Sequence, residues 1–293
     1  MSPAKEKLRP FIFVFGTLSA LLIALIIILF IRTPIPPLNP YIGTQATVVT
    51  YSDGSEMGRF ASENRIEIPL IRIPQYTQRA VMAAEDKDFY SHVAISPSAI
   101  IRALLNNAQG GDVQGGSTIT QQYVKIAYLT QEQTIERKIK ELIIAFKIEN
   151  KFSKDEILLK YLNAIYFGRG AYGIETAANQ YFDKSASELT VAESIVLASI
   201  IRSPGRYDPT SAPTNVSNLR NRFLSVKTLM LEQGWISQSI HDTMQFPEIS
   251  PRKNLNTFVG VTGHIMEEVR KELYERGFKD DEISKVGLSL KQR

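Results

Sequence analysis

The sequence predicts a mainly α-helical protein with a small N-terminal β element and one transmembrane helix. Three observations support this prediction: an uncharged apolar run near the N-terminus, a short region of strand-like alternation, and apolar spacings of three and four along most of the remaining chain. The 293 residues are 44% hydrophobic, enough for one large domain or two small ones beyond a membrane segment. The chain has no cysteine, which excludes disulfides, thiolate catalysis and zinc–thiolate sites.

The uncharged run at residues 11–31 predicts a transmembrane helix. At about 1.5 Å per residue it would be roughly 31 Å long, the thickness of a bilayer core. Arg32-Thr33-Pro34 follows in place of a small-residue cleavage site, so we expect an uncleaved anchor. Basic residues precede the run, which predicts that residues 1–10 are a cytoplasmic tail and that the rest lies outside. Residues 32–43 are rich in proline and predict a stiff spacer.

Beyond the spacer, residues 44–73 are predicted to form the β element. Thr47 to Tyr51 is strand-like, Asp53-Gly54 indicates a hairpin, and alternation continues from Ile66 to Leu70. Helical spacing then predicts helices over 75–89, 97–107, 119–129, 135–152, 154–166, 174–182, 191–202, 215–233 and 259–276. Capping boxes are predicted at Ser153 with Glu156 and at Thr190 with Glu193.

The formal net charge of +4 suits an anionic partner, such as a phospholipid surface or a diphosphate, without selecting one. The first candidate site cluster includes Glu85, Asp86, Phe89 and His92. Helical spacing predicts that Glu85, Phe89 and His92 share a face, where apolar surroundings would raise the pKa of the acid and suit it to acid–base catalysis. On spacing alone, an exposed helix end is the more frequent explanation.

A second cluster runs from Gly115-Gly116 through Ser117, Thr118 and Gln122 to Lys125. Glycines followed by hydroxyl residues predict a helix N-terminus that favours an anion, although an ordinary cap has the same pattern. In a third cluster, Arg137, Lys138 and Lys140 surround Glu141. These four are either surface ion pairs or a carboxylate held among cations where negative charge develops.

Taken in order, these segments resemble the motifs of glycosyltransferase family 51, the peptidoglycan glycosyltransferases. The matches are Glu85-Asp86-x-x-Phe89-x-x-His92, Gly115 to Gln122, Arg137-Lys138-x-x-Glu141, and Lys154-x-x-Ile157-Leu158-x-x-Tyr161-Leu162-Asn163. The resemblance covers about residues 60 to 245. It implies a lysozyme-like helical glycosyltransferase domain at 44–245. The anchor and β element also resemble the N-terminal half of class A penicillin-binding proteins.

The resemblance implies polymerisation of lipid II at the outer face of a bacterial plasma (inner) membrane. Glu85 would be the base that accepts the proton of the acceptor hydroxyl, with Glu141 the second catalytic carboxylate and Asp86, Phe89 and His92 in support. Binding of the diphosphate would fall to a cationic and hydroxyl set: Ser117, Thr118, Gln122, Lys125, Arg137, Lys138 and Lys140. Glu141 would orient this set or hold Mg²⁺ or another divalent cation, with no organic cofactor.

The implied partners are lipid II, lipid-linked nascent glycan, the membrane, and other cell-wall synthesis and division proteins, with no nucleic acid. The sequence departs from the family pattern at Ala94, where glycine is usual, and at Gln133, where a cation is frequent. Lys-Thr-Gly, which a transpeptidase needs, is absent, so we expect 246–293 to be a linker toward a C-terminal domain that this chain lacks.

Two other functions stay open at this stage. A lysozyme-like or lytic glycan-cleaving enzyme would also use a helix-borne glutamate, but it has no diphosphate to receive, which leaves the cationic cluster unexplained. A non-catalytic membrane scaffold would need none of these residues.

Overall fold

A computed structural model of the chain describes residues 16–21, 24–25, 27–38, 47–60, 64–94, 116–129, 134–252, 260–278 and 289–291. The predicted helix at 97–107, Gly115 and Gln133 lie outside these residues, as does the predicted tail at 1–10. The described residues are mainly helical, which confirms that part of the predicted fold class.

The helices are α1 (Gln75–Glu85), α2 (Ile119–Tyr128), α3 (Ile135–Lys151), α4 (Lys154–Ala164), α5 (Ile174–Phe182), α6 (Val191–Ile201), α7 (Pro204–Tyr207), α8 (Pro213–Glu232), α9 (Gln238–Thr243) and α10 (Gly260–Glu275). From α2 onward, the predicted helices agree with these bounds to within two residues, whereas α7 and α9 were not predicted. Both predicted capping boxes are present, at Ser153 before α4 and at Thr190 before α6.

Helix α6 is the centre of the core. Its residues from Glu193 to Ile201 are all buried, so it is surrounded by protein, as expected for a helix that is apolar all round. Helices α1 and α8 pack against it and against each other, while α2 packs on α3 and α4. This arrangement brings the C-terminal end of α1 next to the N-terminal end of α2, where Ile119 N donates to Asp86 Oδ2 at 3.1 Å.

The strands are β1 (Thr47–Thr50), β2 (Glu56–Phe60), β3 (Asn64–Arg65), β4 (Ala171–Tyr172) and β5 (Ser289–Lys291). Strand β1 lies between β2, with which it forms an antiparallel hairpin, and β5, which runs parallel to it. Helix α10 packs on this sheet through a second, smaller core of Val49, Met57, Met266 and Leu273. Strands β3 and β4 form a separate parallel pair.

Residues 66–69, whose alternation predicted a strand, are coil, and a 3-10 turn follows at Leu70–Arg72. The physical reason is the Asn163 side chain. Its Oδ1 accepts from Ile68 N at 3.2 Å and its Nδ2 donates to Ile68 O at 2.9 Å. Both backbone groups of Ile68 are therefore satisfied by a side chain, where a strand would use a neighbouring strand.

Arg169 holds the chain that follows α9 against the helical body. It is 3% exposed and has a left-handed backbone with φ of 54°. Its Nε donates to Asp208 Oδ1 at 3.1 Å, its Nη1 donates to Ser250 O at 2.8 Å, and the guanidinium lies 4.1 Å from the Tyr181 ring centroid. The predicted boundary at 245 stays a prediction, but residues just beyond it are fastened to the helical body by this arginine.

Of the predicted transmembrane segment 11–31, residues 16–21, 24–25 and 27–31 are described, and all of them are helical. A search of the described residues finds no helix that is both long enough and apolar enough to span a bilayer.

Candidate active site

Glu85 is the last residue of α1, and a side chain of α2 holds its carboxylate. Its Oε2 accepts a hydrogen bond from Gln122 Nε2 at 2.7 Å, and Gln122 Oε1 in turn accepts from the Tyr161 hydroxyl at 3.0 Å. The residue as a whole is half-buried, yet its Oε1 is inaccessible to solvent and has no hydrogen-bond partner within the described part of the chain. No donor of the described residues therefore competes for that oxygen.

Burial raises the pKa of Glu85 above its ordinary value. The hydrogen bond from Gln122 and the positive charges of Arg222 and Arg202 oppose this rise, and the charge of Asp86 adds to it. A carboxylate with a raised pKa binds a proton more strongly, which suits a general base.

Asp86, not Glu85, is the partner of His92. The prediction that Glu85 and His92 share a helix face is wrong because α1 ends at Glu85 and the chain turns at Asp86, which has φ of −160°. His92 Nε2 lies 2.7 Å from Asp86 Oδ1, while Asp86 Oδ2 accepts from Ile119 N. Burial raises the pKa of Asp86 as well, opposed by His92 and this N–H. The pair therefore fixes the end of α1 against α2.

Phe89 is fully buried and packs against His92 beyond the end of α1. Its ring stands edge-on to the His92 ring, with centroids 6.5 Å apart, and Lys154 Nζ lies 4.5 Å above it. Lys154 also donates to Glu149 Oε1 at 2.8 Å, and Thr120 Oγ1 donates to the same oxygen at 2.5 Å. The supporting role predicted for Phe89 fits this packing.

The N-terminus of α2 is capped by Thr118, whose Oγ1 accepts from Gln121 N at 3.2 Å. The same hydroxyl donates to Ala94 O at 2.8 Å, and Gln121 Nε2 donates to that carbonyl at 2.9 Å. Ala94 is buried with φ of 28°, in the left-handed region that favours glycine, which the family usually has there. Thr118 is thus occupied by capping and by anchoring this turn.

Glu141 is 2% exposed and lies between two cations of α3. Arg137 Nη1 donates to its Oε2 at 2.9 Å, and Lys138 Nζ donates to its Oε1. Lys138 also donates to Ser117 Oγ at 3.0 Å and lies 3.5 Å from Gln121 Oε1. Because Gln121 is next to Gln122, the first turn of α2 joins this cationic cluster to Glu85.

Glu141 does not suit a divalent cation in this arrangement, because both of its oxygens already accept from positively charged side chains. Within the described ranges, no group of three or more His, Cys, Asp or Glu residues could hold a metal ion.

Two of the predicted binding residues lie apart from this cluster. Lys140 pairs with Glu136 at 2.7 Å on the exposed side of α3, and Lys125 is exposed on α2. The position of Lys140 follows from helical geometry, since a residue two positions from Lys138 lies about 200° around the helix. The structure thus brings together Ser117, Gln122, Arg137 and Lys138 but neither of these lysines.

Three residues near Glu85 were not predicted as site residues: Tyr161, Arg202 and Arg222. Tyr161 lies in the fourth motif, which was a usable signal, and its hydroxyl fixes Gln122. Arg222 Nη2 donates to Ala84 O at 2.8 Å, at the C-terminal end of α1. Both arginines belong to segments far along the chain, and nothing in the local sequence pattern links them to Glu85.

Comparison with known proteins places this chain in a family. The sequence profile described as Transglycosylase matches residues 53–228. Penicillin-binding protein 1A of Mycobacterium tuberculosis is 42% identical over 240 residues, covering 79% of this chain and 29% of that protein. The protein of the same name from Aquifex aeolicus is 40% identical over 229 residues, covering 76% and 31% respectively.

Penicillin-binding protein 1F of Bacillus subtilis is 38% identical over 234 residues, covering 80% of this chain and 32% of that protein. A crystal structure of penicillin-binding protein 1A from Haemophilus influenzae aligns with a TM-score of 0.46 and 20% identity, over 81% of this chain and 25% of that one. The chain spans about a third of the length of the curated relatives it matches. With a profile match over more than half of its residues, the chain belongs to the transglycosylase family.

Proposed function

We propose that the chain is a peptidoglycan glycosyltransferase that joins lipid II units into glycan strands, with Glu85 as the general base. The observation that supports this most directly is the pairing of a buried carboxylate of raised pKa with a cationic cluster joined to it through the first turn of α2. Transfer from a lipid diphosphate needs both a base for the nucleophile and positive charge for the leaving group.

In the proposed reaction, the acceptor is the 4-hydroxyl of a terminal N-acetylglucosamine on lipid II. Glu85 takes the proton of this hydroxyl as its oxygen bonds to the anomeric carbon of the donor sugar. The bond from that carbon to the diphosphate oxygen breaks, the configuration inverts, and undecaprenyl diphosphate leaves with the electron pair. Gln122 holds the Glu85 carboxylate in place, and Tyr161 holds Gln122.

The leaving diphosphate would be received by Lys138, Arg137 and Ser117. Lys138 is 43% exposed at its side chain, so it can reach a ligand while Glu141 holds it in position. Arg137 is less exposed, at 16%, and its Nε is buried without a hydrogen-bond partner in the described ranges. Lys125 and Lys140 remain candidates for contacts with more distant parts of the substrate, since both are exposed.

The proposal includes a bacterial plasma membrane location. The uncharged run at 11–31, with basic residues before it, supports a single-pass anchor with its N-terminus in the cytoplasm and the catalytic body outside. Other cell-wall synthesis and division proteins are proposed partners on the same basis of family membership.

The experiment is polymerisation of fluorescent lipid II by the wild type, Glu85→Gln and Glu141→Gln, with products sized by gel electrophoresis. Glu136→Gln is the matched control, because it removes an exposed carboxylate from the same helix. We expect long glycan from the wild type and the control only. Normal polymerisation by Glu85→Gln would refute the assigned base. Shortening of added glycan strands, without growth, would favour a lytic enzyme.

A further inference from the structure

Glu149, near the C-terminal end of α3, is a largely buried carboxylate that the proposed reaction does not use. Its side chain is 5% exposed. Its Oε1 accepts one hydrogen bond from Thr120 Oγ1 at 2.5 Å and another from Lys154 Nζ at 2.8 Å. Because Thr120 belongs to α2 and Lys154 is the first residue of α4, this single oxygen joins three helices.

Thr120 lies on the side of α2 that faces away from the catalytic base. It is fully buried, and Gln122, two positions further on, lies about 200° around the helix. Gln122 Nε2 donates to Glu85 Oε2 at 2.7 Å. A rotation of α2 about its axis would carry both side chains with it. The bond between Thr120 and Glu149 therefore sets the direction in which the Gln122 amide points.

Lys154 connects the same carboxylate to the segment that follows α1. Its Nζ lies 4.5 Å from the centroid of the Phe89 ring, which is a cation–π distance. The Phe89 ring stands edge-on to that of His92, and Asp155, the next residue of α4, accepts from the Tyr90 hydroxyl at 2.7 Å. The start of α4 therefore holds the segment between Phe89 and His92 in place.

The ion pair of Glu149 and Lys154 is better explained by geometry than by stability. The Lys154 side chain is 21% exposed, so both charges are largely removed from water. Desolvation of such a pair offsets much of its attraction, and apolar side chains of similar size would often be as stable. Charge-assisted hydrogen bonds are, however, short and directional, and Thr120 adds a second donor to the same oxygen. The arrangement is suited to fixing the positions of its donors.

We infer that Glu149 is a positioning residue for the catalytic base. Through Thr120 it sets the rotation of α2 that directs Gln122 to Glu85. Through Lys154 it fixes the aromatic segment that follows α1. This role rests on the proposed function, since it takes Glu85 to be the base.

The first test is steady-state polymerisation of fluorescent lipid II by the full chain in detergent. Thr120→Val removes the hydroxyl at nearly constant volume, and Thr228→Val removes an exposed hydroxyl from α8 as the matched control. We expect Thr120→Val to lower kcat about tenfold with KM within about twofold of the wild type, because a misdirected base affects the chemical step more than binding. Thr120→Ser, which restores the donor, should recover most of the loss.

Glu149→Gln should lower kcat in the same way, with Glu136→Gln as the control that removes an exposed carboxylate from the same helix. In the double variant of Thr120→Val and Glu149→Gln, the two losses should not multiply, because both substitutions act on the same hydrogen bond.

The second test does not use catalysis. The sequence has three histidines, so the ring signals of a chain with isotope-labelled histidine can be assigned by NMR, that of His92 by its loss in His92→Gln. We expect the His92 signal to shift in both variants, because its ring contacts Phe89 on one side and Asp86, which is bonded to the start of α2, on the other. The two control variants should leave this signal in place.

Wild-type kcat in both variants, a loss in Thr120→Ser equal to that in Thr120→Val, or an unmoved His92 signal would each overturn the inference. A raised KM with unchanged kcat would also overturn it, because Glu149 would then act on substrate binding. If the wild type does not polymerise lipid II, the proposed function fails, and the His92 signal alone then decides whether Glu149 fixes this part of the site. A polymerising wild type with unaffected variants fails the inference alone.

Discussion

Replacing Glu141 by glutamine tests whether this carboxylate neutralises the cationic cluster of α3. Glu141 is 2% exposed and accepts from Arg137 Nη1 at 2.9 Å and from Lys138 Nζ. Glutamine keeps the size of the side chain but carries no charge, and its amide nitrogen is a donor. One of the two cations must then face a donor in place of an acceptor.

The magnitude follows from the exposure of each partner. The bond to Arg137, whose side chain is 16% exposed, is charge-assisted and contributes about 1.5–3 kcal/mol. Lys138, at 43% exposure, is screened by water and adds at most about 1 kcal/mol. Because the glutamine oxygen retains one bond, we expect a loss of about 2–3 kcal/mol in the free energy of unfolding. For a domain of this size, that lowers Tm by roughly 5–10 °C.

The assay is thermal unfolding of the full chain in detergent, with and without inorganic diphosphate. Two cations that lack their carboxylate bind an anion more strongly, so diphosphate should raise the Tm of Glu141→Gln more than that of the wild type. Glu136→Gln should leave Tm and the diphosphate effect almost unchanged. A variant as stable as the wild type, or one with the same response to diphosphate, would refute the electrostatic account.

Four further changes have defined outcomes. Glu85→Gln should lower polymerisation at least about 100-fold, and calorimetry should show it more stable than the wild type at neutral pH. The sign follows from the raised pKa of Glu85. The stability that its neutral carboxyl contributes is fully present below the pKa of the unfolded chain, near 4.5, and is lost as pH rises through the pKa of the folded protein. A stability gain of Glu85→Gln over the wild type that persists at lower pH would contradict this. Gln122→Ala should move the acid limb of the pH–rate profile to higher pH, because the Gln122 bond favours the carboxylate; an unmoved limb would show that Gln122 does not tune the base. Arg169→Met should cost about 3–5 kcal/mol in urea unfolding, because the buried Asp208 carboxylate loses its cation and keeps only the hydrogen bonds from Thr210 and Ser211. A cost below about 1 kcal/mol would contradict this. Ala94→Gly should add about 0.5–1 kcal/mol by relieving a left-handed alanine, which the same urea titration would measure as a higher midpoint.

Helix positions were predictable because capping and periodicity are local signals. Ser153 and Thr190 mark the starts of α4 and α6 by side-chain chemistry that acts within one turn. The end of α1 was missed because the apolar spacing continues to Phe89 although the helix stops at Glu85. Tertiary contacts decide that stop: Asp86 bonds to His92 and to the N-terminus of α2, which a continuous helix could not allow.

The sequence predicted which residues belong to the candidate site better than it predicted which of them contact one another. Helical phase alone could have separated Lys140 from Lys138, and it correctly joins Arg137 to Glu141. The bond between Gln122 and Glu85 joins residues on different helices, and no local rule predicts such a contact. The contact of Arg222 with α1 could not be predicted for the same reason, since Arg222 belongs to α8.

The position of β1 between β2 and β5 has a consequence for the order of folding. Strand β2 follows β1 after a short turn, so the hairpin can form as soon as both strands have been synthesised. Strand β5 lies far from β1 along the chain, and its pairing must wait until residues 289–291 have been synthesised. Until then one side of β1 offers unpaired backbone groups to any other strand. We expect nascent chains that end before Ser289 to be more prone to edge-to-edge aggregation than chains that include β5.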